Sequence, residues 1–398
     1  MGTRQNVRGI IGCLGLAALV GALGVFVDSA RADAPVKPPS DVTKAAAAKA
    51  PPTMEVMFVL DTTGSMSGLI EGAKRKIWAI ASELSSAKPR PVLRIGLVAY
   101  RDRGDAYVVK QFPLTTDLDA VYEQLRGLSA HGGGDWPESV NAALNEAVEN
   151  AGWSTELSVY RTVFLVGDAP PHLDYEGDVP YTAVVARAAK RGIVINTVQC
   201  GNEGDTREVW SKIARTSNGT YAAIEQGGGM MAVATPMDRE ISKLNEALAK
   251  TVLPYGSASE QGAARGKAAR ASAATAEESS SRLSYLKKGG GAVITGGGDL
   301  LDALASSSLV LEGVPAREMP EALRGKSAKE QKAEIERRTK ERAAIKTKLD
   351  KLVDERDAYV KAEEKKRAAT GTVDGFDTLV KAAVKTQAAK ATGVTYAD

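Results

Sequence analysis

The run Val56-Met57-Phe58-Val59-Leu60-Asp61-Thr62-Thr63-Gly64-Ser65-Met66-Ser67 sets two patterns side by side. Its first five residues are apolar and rich in strand formers, so a strand made of them is apolar on both faces. That suits a buried strand of a parallel sheet. The run ends on Asp61 and passes through a short Thr/Gly/Ser segment. An apolar stripe follows, Ile70, Ala73, Ile77, Ile80 and Leu84, at the three-and-four spacing of a helix. Buried strand, polar loop and amphipathic helix together open an α/β unit.

Working outward, apolar runs recur at 92–100, 163–166 and 193–195, with helical patterns at about 117–127, 137–150, 180–191, 205–217 and 231–250. Strands alternating with helices predict a doubly wound, mainly parallel, Rossmann-like α/β domain over 54–250. On its N-terminal side, residues 33–53 are rich in Pro, Ala and Lys and read as a tether. On the other side, 256–282 reads as a low-complexity linker, and 283–398 as a charged, mostly helical extension. That extension holds a small apolar patch, Ala292-Val293-Ile294, between two Gly triplets. Residues 327–367, dense in Lys, Glu and Arg without Pro or Gly, predict one long helix. Ile345, Leu349, Leu352 and Tyr359 keep coiled-coil spacing for about two heptads, against which stands a solvated helix or a hairpin packed on the domain.

Composition removes several function classes. The 398 residues include two His and two Cys, too few for a disulfide framework, a Cys-rich zinc module or a His-rich metal centre. Residues 1–32 have the form of a secretory signal: Arg4 and Arg8, an apolar run over 10–27, then Ala30-Arg31-Ala32. The 18-residue run sits at the short limit for a membrane span, so cleavage competes with an uncleaved anchor. Cleavage removes Cys13 and leaves Cys200 alone; it also removes three basic and one acidic side chain, so the net charge falls from +3 to +1. A balance so close to neutral predicts neither a nucleic-acid partner nor electrostatic capture of one. The expected location is exported, periplasmic or extracellular, with no stable membrane span after signal cleavage.

Two of the apolar runs end on an aspartate. Val59-Leu60-Asp61 leads into Thr63 and Ser65, and Val166-Gly167-Asp168 leads into Ala169-Pro170-Pro171. In an open parallel sheet, ligands bind at the carboxyl ends of the strands near the point where strand order reverses, so both carboxylates belong to one edge. Between them lies His131-Gly132-Gly133-Gly134-Asp135, ahead of a helix expected to open at Pro137. Hard divalent cations take oxygen ligands. Asp61, Thr63 and Ser65 alternate along one loop, and Asp135 and Asp168 add charge from neighbouring loops. Helix capping competes for such residues, but it accounts for one of them rather than the set.

Asp61-Thr62-Thr63-Gly64-Ser65-Met66-Ser67 resembles the D-x-[ST]-x-S signature of von Willebrand factor A domains and their metal-ion-dependent adhesion site. The resemblance covers residues 54 to about 250. It implies that Asp61, Thr63 and Ser65 form the first metal loop and Asp168 the third. Where many such domains place a threonine in the second loop, this sequence offers Asp135, within a Gly-Gly-Asp-x-Pro-Glu loop familiar in bacterial branches of the family. A third carboxylate strengthens cation retention and weakens the pull on an incoming acidic ligand. The implied cofactor is a divalent cation, Mg²⁺ first, with Ca²⁺ or Mn²⁺ as alternatives.

The function expected is a non-enzymatic, exported metal-binding module that engages a protein or cell-surface ligand. The alternative is a Mg²⁺-dependent phosphatase-like hydrolase using the same carboxylates, but such enzymes look for an acid two residues after the first aspartate, and position 63 is Thr. No Gly triplet is followed by Lys-Ser/Thr, so no P-loop is present. His131 and His172 read as ordinary loop histidines, and Arg101, Asp102 and Asp105 as shaping the loop after the second strand. Arg103-Gly104-Asp105 matches an adhesion tripeptide too short to be informative, and Asn218-Gly219 reads first as a helix C-cap and turn.

Overall fold

Met54, Val56, Phe58 and Leu60 of Thr53–Asp61 (β1) enter one apolar core, and Met57 and Val59 enter another. Successive strand residues point to opposite faces, so β1 is buried on both. In this computed structural model the described residues are 50–156, 158–288, 295, 297–370 and 375–396. The expected signal at 1–32, nearly all of the tether, Cys13 and the Ala292-Val293-Ile294 patch lie outside them.

Around β1 the sheet contains Val92–Tyr100 (β2), Val109–Thr115 (β3), Val159–Gly167 (β4), Ile193–Cys200 (β5) and Tyr221–Ile224 (β6). The order is β3-β2-β1-β4-β5-β6, with every neighbouring pair parallel except β2–β3. This is the expected doubly wound, mainly parallel sheet, with strand order reversing beside β1. The two edge strands carried no clear sequence signal. β3 is mostly half-exposed and contains Pro113, which an edge position tolerates, and β6 is four residues long.

Helices cover both faces. Ser67–Leu84 (α1) and Leu118–Arg126 (α2) pack on the first core; Val140–Glu149 (α3), Tyr181–Lys190 (α4) and Gly204–Thr216 (α5) pack on the second. Helix α3 begins at Val140, three residues beyond the expected start, because Glu138 and Ser139 are still bound to neighbouring loops.

The chain after β6 departs most from expectation. Asp238–Lys250 (α6) is followed by Ala258–Ala273 (α7) and Ala276–Lys288 (α8), so 256–282 is two helices rather than a linker. Its alanines, read as low complexity, are also the best helix formers, and a Ser257/Glu260 capping box starts α7. Then come Leu300–Ala305 (α9), the long Ala328–Ala369 (α10) and Phe376–Thr392 (α11). The long helix is where the sequence puts it. Ile345, Leu349 and Val353 pack with α6, α7 and α8 in one apolar cluster, while Tyr359 is exposed, so the packed alternative displaces the coiled coil.

Helix α11 places Phe376, Val380, Val384 and Ala388 in the core formed by α1 and the sheet, with the Phe376 ring 6.1 Å from that of Phe58. Its Gln387 accepts from Tyr160 Oη at 2.6 Å and donates to Asn196 Oδ1 at 2.8 Å. The α/β core thus does not close at residue 250: Ala50–Asp398 is one compact unit. Among the described residues, no helix is long and apolar enough to cross a membrane.

Candidate metal centre

The polar loop after β1 folds back on its own aspartate. Asp61 Oδ1 accepts from the Thr63 backbone N–H at 2.8 Å and from Thr63 Oγ1 at 2.7 Å, and Thr63 Oγ1 lies 3.4 Å from Ser65 Oγ. Gly64 N–H donates to the Gly132 carbonyl, and His131 N–H to the Thr62 carbonyl, so the glycine loop is laced to this turn. A side chain at Gly133 would meet Thr63 and Glu138, which explains the glycine there. Capping does not occupy these oxygens: neither Thr63, before the single 3₁₀ turn 64–66, nor Met66, before α1, makes a side-chain cap bond.

Asp168, one residue past β4, lies near enough to Asp61 for its charge to act on it. Its Oδ2 accepts from Gln226 Nε2 at 2.6 Å, and its carbonyl accepts from Thr206 Oγ1 at 2.9 Å. Gly167 matters because any Cβ there would lie 2.5 Å from Tyr100 Oη and 2.9 Å from Asp61 Cβ. Asp61 and Asp168 are buried, whereas Ser65 is exposed. The carboxylates therefore sit below a turn whose outer hydroxyl faces solvent.

The electrostatics of this edge favour a positive charge. Burial, and then the charge of Asp168, push the Asp61 carboxyl up to about 7. Burial and the neighbouring Asp61, Asp102, Asp105 and Asp168 push Glu138 up to about 9. Tyr100 and Cys200 are raised well above their ordinary values by burial and the same acids. Asp61 Oδ2, Glu138 Oε2 and Tyr100 Oη are buried without a hydrogen-bond partner. Orphaned buried oxygens around a carboxylate pair fit an oxygen-coordinated divalent cation, and the donor set matches a hard ion.

Of the residues expected from sequence, Asp61, Thr63, Ser65 and Asp168 come together. Asp135 is exposed and stands in a trio with Asp102 and His172, whose ligand atoms all lie within 4.8 Å of one another. The second-loop acid in the field of Asp61 and Asp168 is Glu138, three residues later. It is turned inward because its backbone N–H is fixed to the Pro170 carbonyl and its carbonyl accepts from His172 N–H, both at 3.0 Å. The Gly-Gly-Asp-x-Pro-Glu loop contained this second acid, so a sequence signal existed. Gln226 had none, since only the fold brings the end of β6 to Asp168.

The remaining sequence features resolve as structure. Asp105 Oδ2 accepts from Asp102 N–H and Gly133 N–H, and Arg101 donates to the Thr62 and Ser129 carbonyls. Arg103 lies over the Tyr175 ring and pairs with Asp178 at 2.7 Å, so the adhesion-like tripeptide is built into its loop. Asn218 has φ 60° after α5, and a Cβ on Gly219 would lie 1.9 Å from the Ile195 carbonyl, as a tight turn requires.

Residues 55–236 match the family model of the von Willebrand factor A domain. Mouse von Willebrand factor A domain-containing protein 7 is 37% identical over 97 residues, covering 24% of this chain and 10% of that protein. A putative ariadne-like RING finger protein of Acanthamoeba polyphaga mimivirus is 27% identical over 119 residues, covering 30% and 11%. The chain thus spans about a tenth of the length of these curated relatives. Among solved structures, the conserved hypothetical protein BatB from Bacteroides thetaiotaomicron aligns at 21% identity with a TM-score of 0.33, covering 43% of this chain and 90% of that one. An aerotolerance-related membrane protein from Bacteroides fragilis aligns at 20% identity with a TM-score of 0.32, covering 44% and 92%. With its strand order, its Asp-x-Thr-x-Ser turn and the family match over 55–236, this chain carries a von Willebrand factor A domain.

Proposed function

We propose that this protein is an exported, non-enzymatic interaction module that binds a protein or cell-surface ligand through a divalent cation, Mg²⁺ first, at the Asp61 edge of the sheet. Von Willebrand factor A domains are a family of interaction modules. The observation that carries the metal reading is the unpartnered, buried Asp61 Oδ2 beside Asp168. Asp61, Thr63, Ser65 and Asp168 would hold the ion, with Glu138 rather than Asp135 as the second-loop acid. Bound there, a cation supplies a Lewis-acidic position open to an acidic group of a partner. Thr63 orients Asp61 through two hydrogen bonds, Gln226 holds Asp168, and exposed Ser65 marks the open side. Three carboxylates, once ionised, would more than neutralise one divalent ion, which favours retention of the ion over strong attraction for an acidic partner. Export rests on the signal-like residues 1–32.

The test uses the full chain. Mn²⁺, followed by its paramagnetic resonance, is expected to bind in competition with Mg²⁺ and to be lost in Asp61→Ala. Capture of partners from an envelope extract should disappear with chelator and with that substitution; capture that survives both overturns the adhesive reading. The hydrolase alternative predicts Mg²⁺-dependent turnover of a generic phosphate ester, and the expected result is none.

A further inference from the structure

A second group of ligating side chains lies beside the Asp61 edge, on the loops after β2 and β4 and the glycine loop. Asp102, Asp135 and His172 bring their ligand atoms within 4.8 Å of one another. Asp102 and His172 are 3% and 5% exposed, while Asp135 is exposed and leaves a path in from solvent. His172 Nδ1 is 2.8 Å from Asp174 Oδ1, so a proton on Nδ1 would donate to that carboxylate. Its Nε2, buried and without a hydrogen bond, is aimed at Asp102 Oδ2 from 3.5 Å. Nε2 and Asp102 Oδ2 thus stand close enough to share one cation.

The surroundings hold this geometry in place. The Tyr175 ring stacks on His172 with centroids 3.9 Å apart and planes 11° apart, and Tyr175 Oη donates to Asp102 Oδ2 at 2.5 Å. Ser139 Oγ donates to Asp102 Oδ1 at 2.8 Å. Each carboxylate oxygen accepts at two positions, so both bonds leave Asp102 free to ligate. A carboxylate on the far nitrogen of a histidine is the usual support of a metal-bound imidazole. Tetrahedral zinc with bonds of ~2.0–2.1 Å places its ligands about 3.4 Å apart. The His172–Asp102 separation of 3.5 Å matches that edge.

We infer that Asp102, Asp135 and His172 form a second cation site, distinct from the Asp61 edge, that takes a borderline transition ion of the Zn²⁺ class. One imidazole nitrogen and two carboxylates select such an ion over Mg²⁺, which avoids nitrogen ligands. The site stands whether or not the Asp61 edge captures partners. An ion there would tie the glycine loop to the 170–175 loop, whose backbones already meet at Glu138.

The experiment titrates Zn²⁺, and Co²⁺ as a coloured substitute, into full chain stripped of transition metals and kept in excess Mg²⁺. The expected result is one Zn²⁺ per chain and a Co²⁺ visible spectrum of low-symmetry, nitrogen-containing coordination. His172→Gln and Asp135→Asn should each weaken binding by about 100-fold, and Asp174→Asn by about 10–100-fold, the range for a residue supporting a ligand. Asp61→Ala should leave this ion in place. Asp135 is exposed, so Asp135→Asn keeps the test informative should His172→Gln fail to fold. Unchanged Zn²⁺ affinity in Asp135→Asn, loss of the ion in Asp61→Ala alone, or no Zn²⁺ uptake would each overturn the assignment.

Discussion

Glu138 and Asp135 lie three residues apart on one loop and face different surroundings. Glu138 is buried in the field of Asp61 and Asp168, whereas Asp135 turns outward to Asp102 and His172. The two acids therefore separate experimentally. Glu138→Gln, which keeps shape and removes charge, should weaken Mn²⁺ at the Asp61 edge by about tenfold or more while leaving Zn²⁺ uptake intact. Parallel titrations of the two ions check this, and equal effects on both would mean a single shared site. That Asp61, Thr63, Ser65 and Asp168 meet on one edge was readable in sequence because strand ends and loop alternation are local. The partition of the second loop was not, because it depends on which neighbouring carbonyls hold residues 138 and 139. His172, four residues past Asp168, reads in sequence as an ordinary loop histidine, and only the fold sets Asp102 against its Nε2.

The elements after β6 show how composition can mislead. Alanine, serine and charge over 256–282 satisfy both a flexible linker and a helix pair, and packing decides between them. Trp78 of α1 meets Tyr285 of α8 with ring centroids 5.7 Å apart, giving the pair an apolar partner. The long α10 is anchored through charge. Buried Arg356 donates to Asp238 Oδ1 at 2.8 Å and to Ser281 Oγ at 3.1 Å, joining α10 to α6 and α8. Arg356→Ala strands Asp238 in a buried position, so unfolding should become easier by about 3–5 kcal/mol, measured by urea denaturation. A change within a few tenths would show that the helix is held by its apolar face alone.

Across the described residues, the last helix, α11, completes the core that β1 and α1 begin. Helix α11 joins α1 through the buried Lys76–Asp377 pair at 3.4 Å and the Lys385–Glu83 pair at 2.5 Å. Burial alone would raise the Glu83 carboxyl; the Lys385 ammonium outweighs that and holds it below its ordinary 4.5. A depressed carboxyl contributes stability above the unfolded value and loses it as pH falls through the folded one. Lys385→Met removes the largest part of the depression and leaves the burial, so the acid limb of the stability profile should move to higher pH. Thermal melts of both proteins from neutrality to below pH 4.5 check the sign, and superimposable acid limbs would contradict it.

The sequence by itself determined the sheet domain's interior and the Asp61-Thr63-Ser65 turn at the end of β1. Strand burial, helical stripes and an aspartate at a strand end are properties of short segments, and short segments carry their own periodicity. It also marked the long charged helix correctly, since forty residues without Pro or Gly have few other options. Tertiary structure alone decided that α11 covers the sheet, that α7 and α8 pack rather than wander, and that Glu138 turns inward to Asp61 while Asp135 stands beside Asp102 and His172. Each of these depends on contacts between residues far apart in the chain, where the free energy gained is set by a partner that no local pattern names.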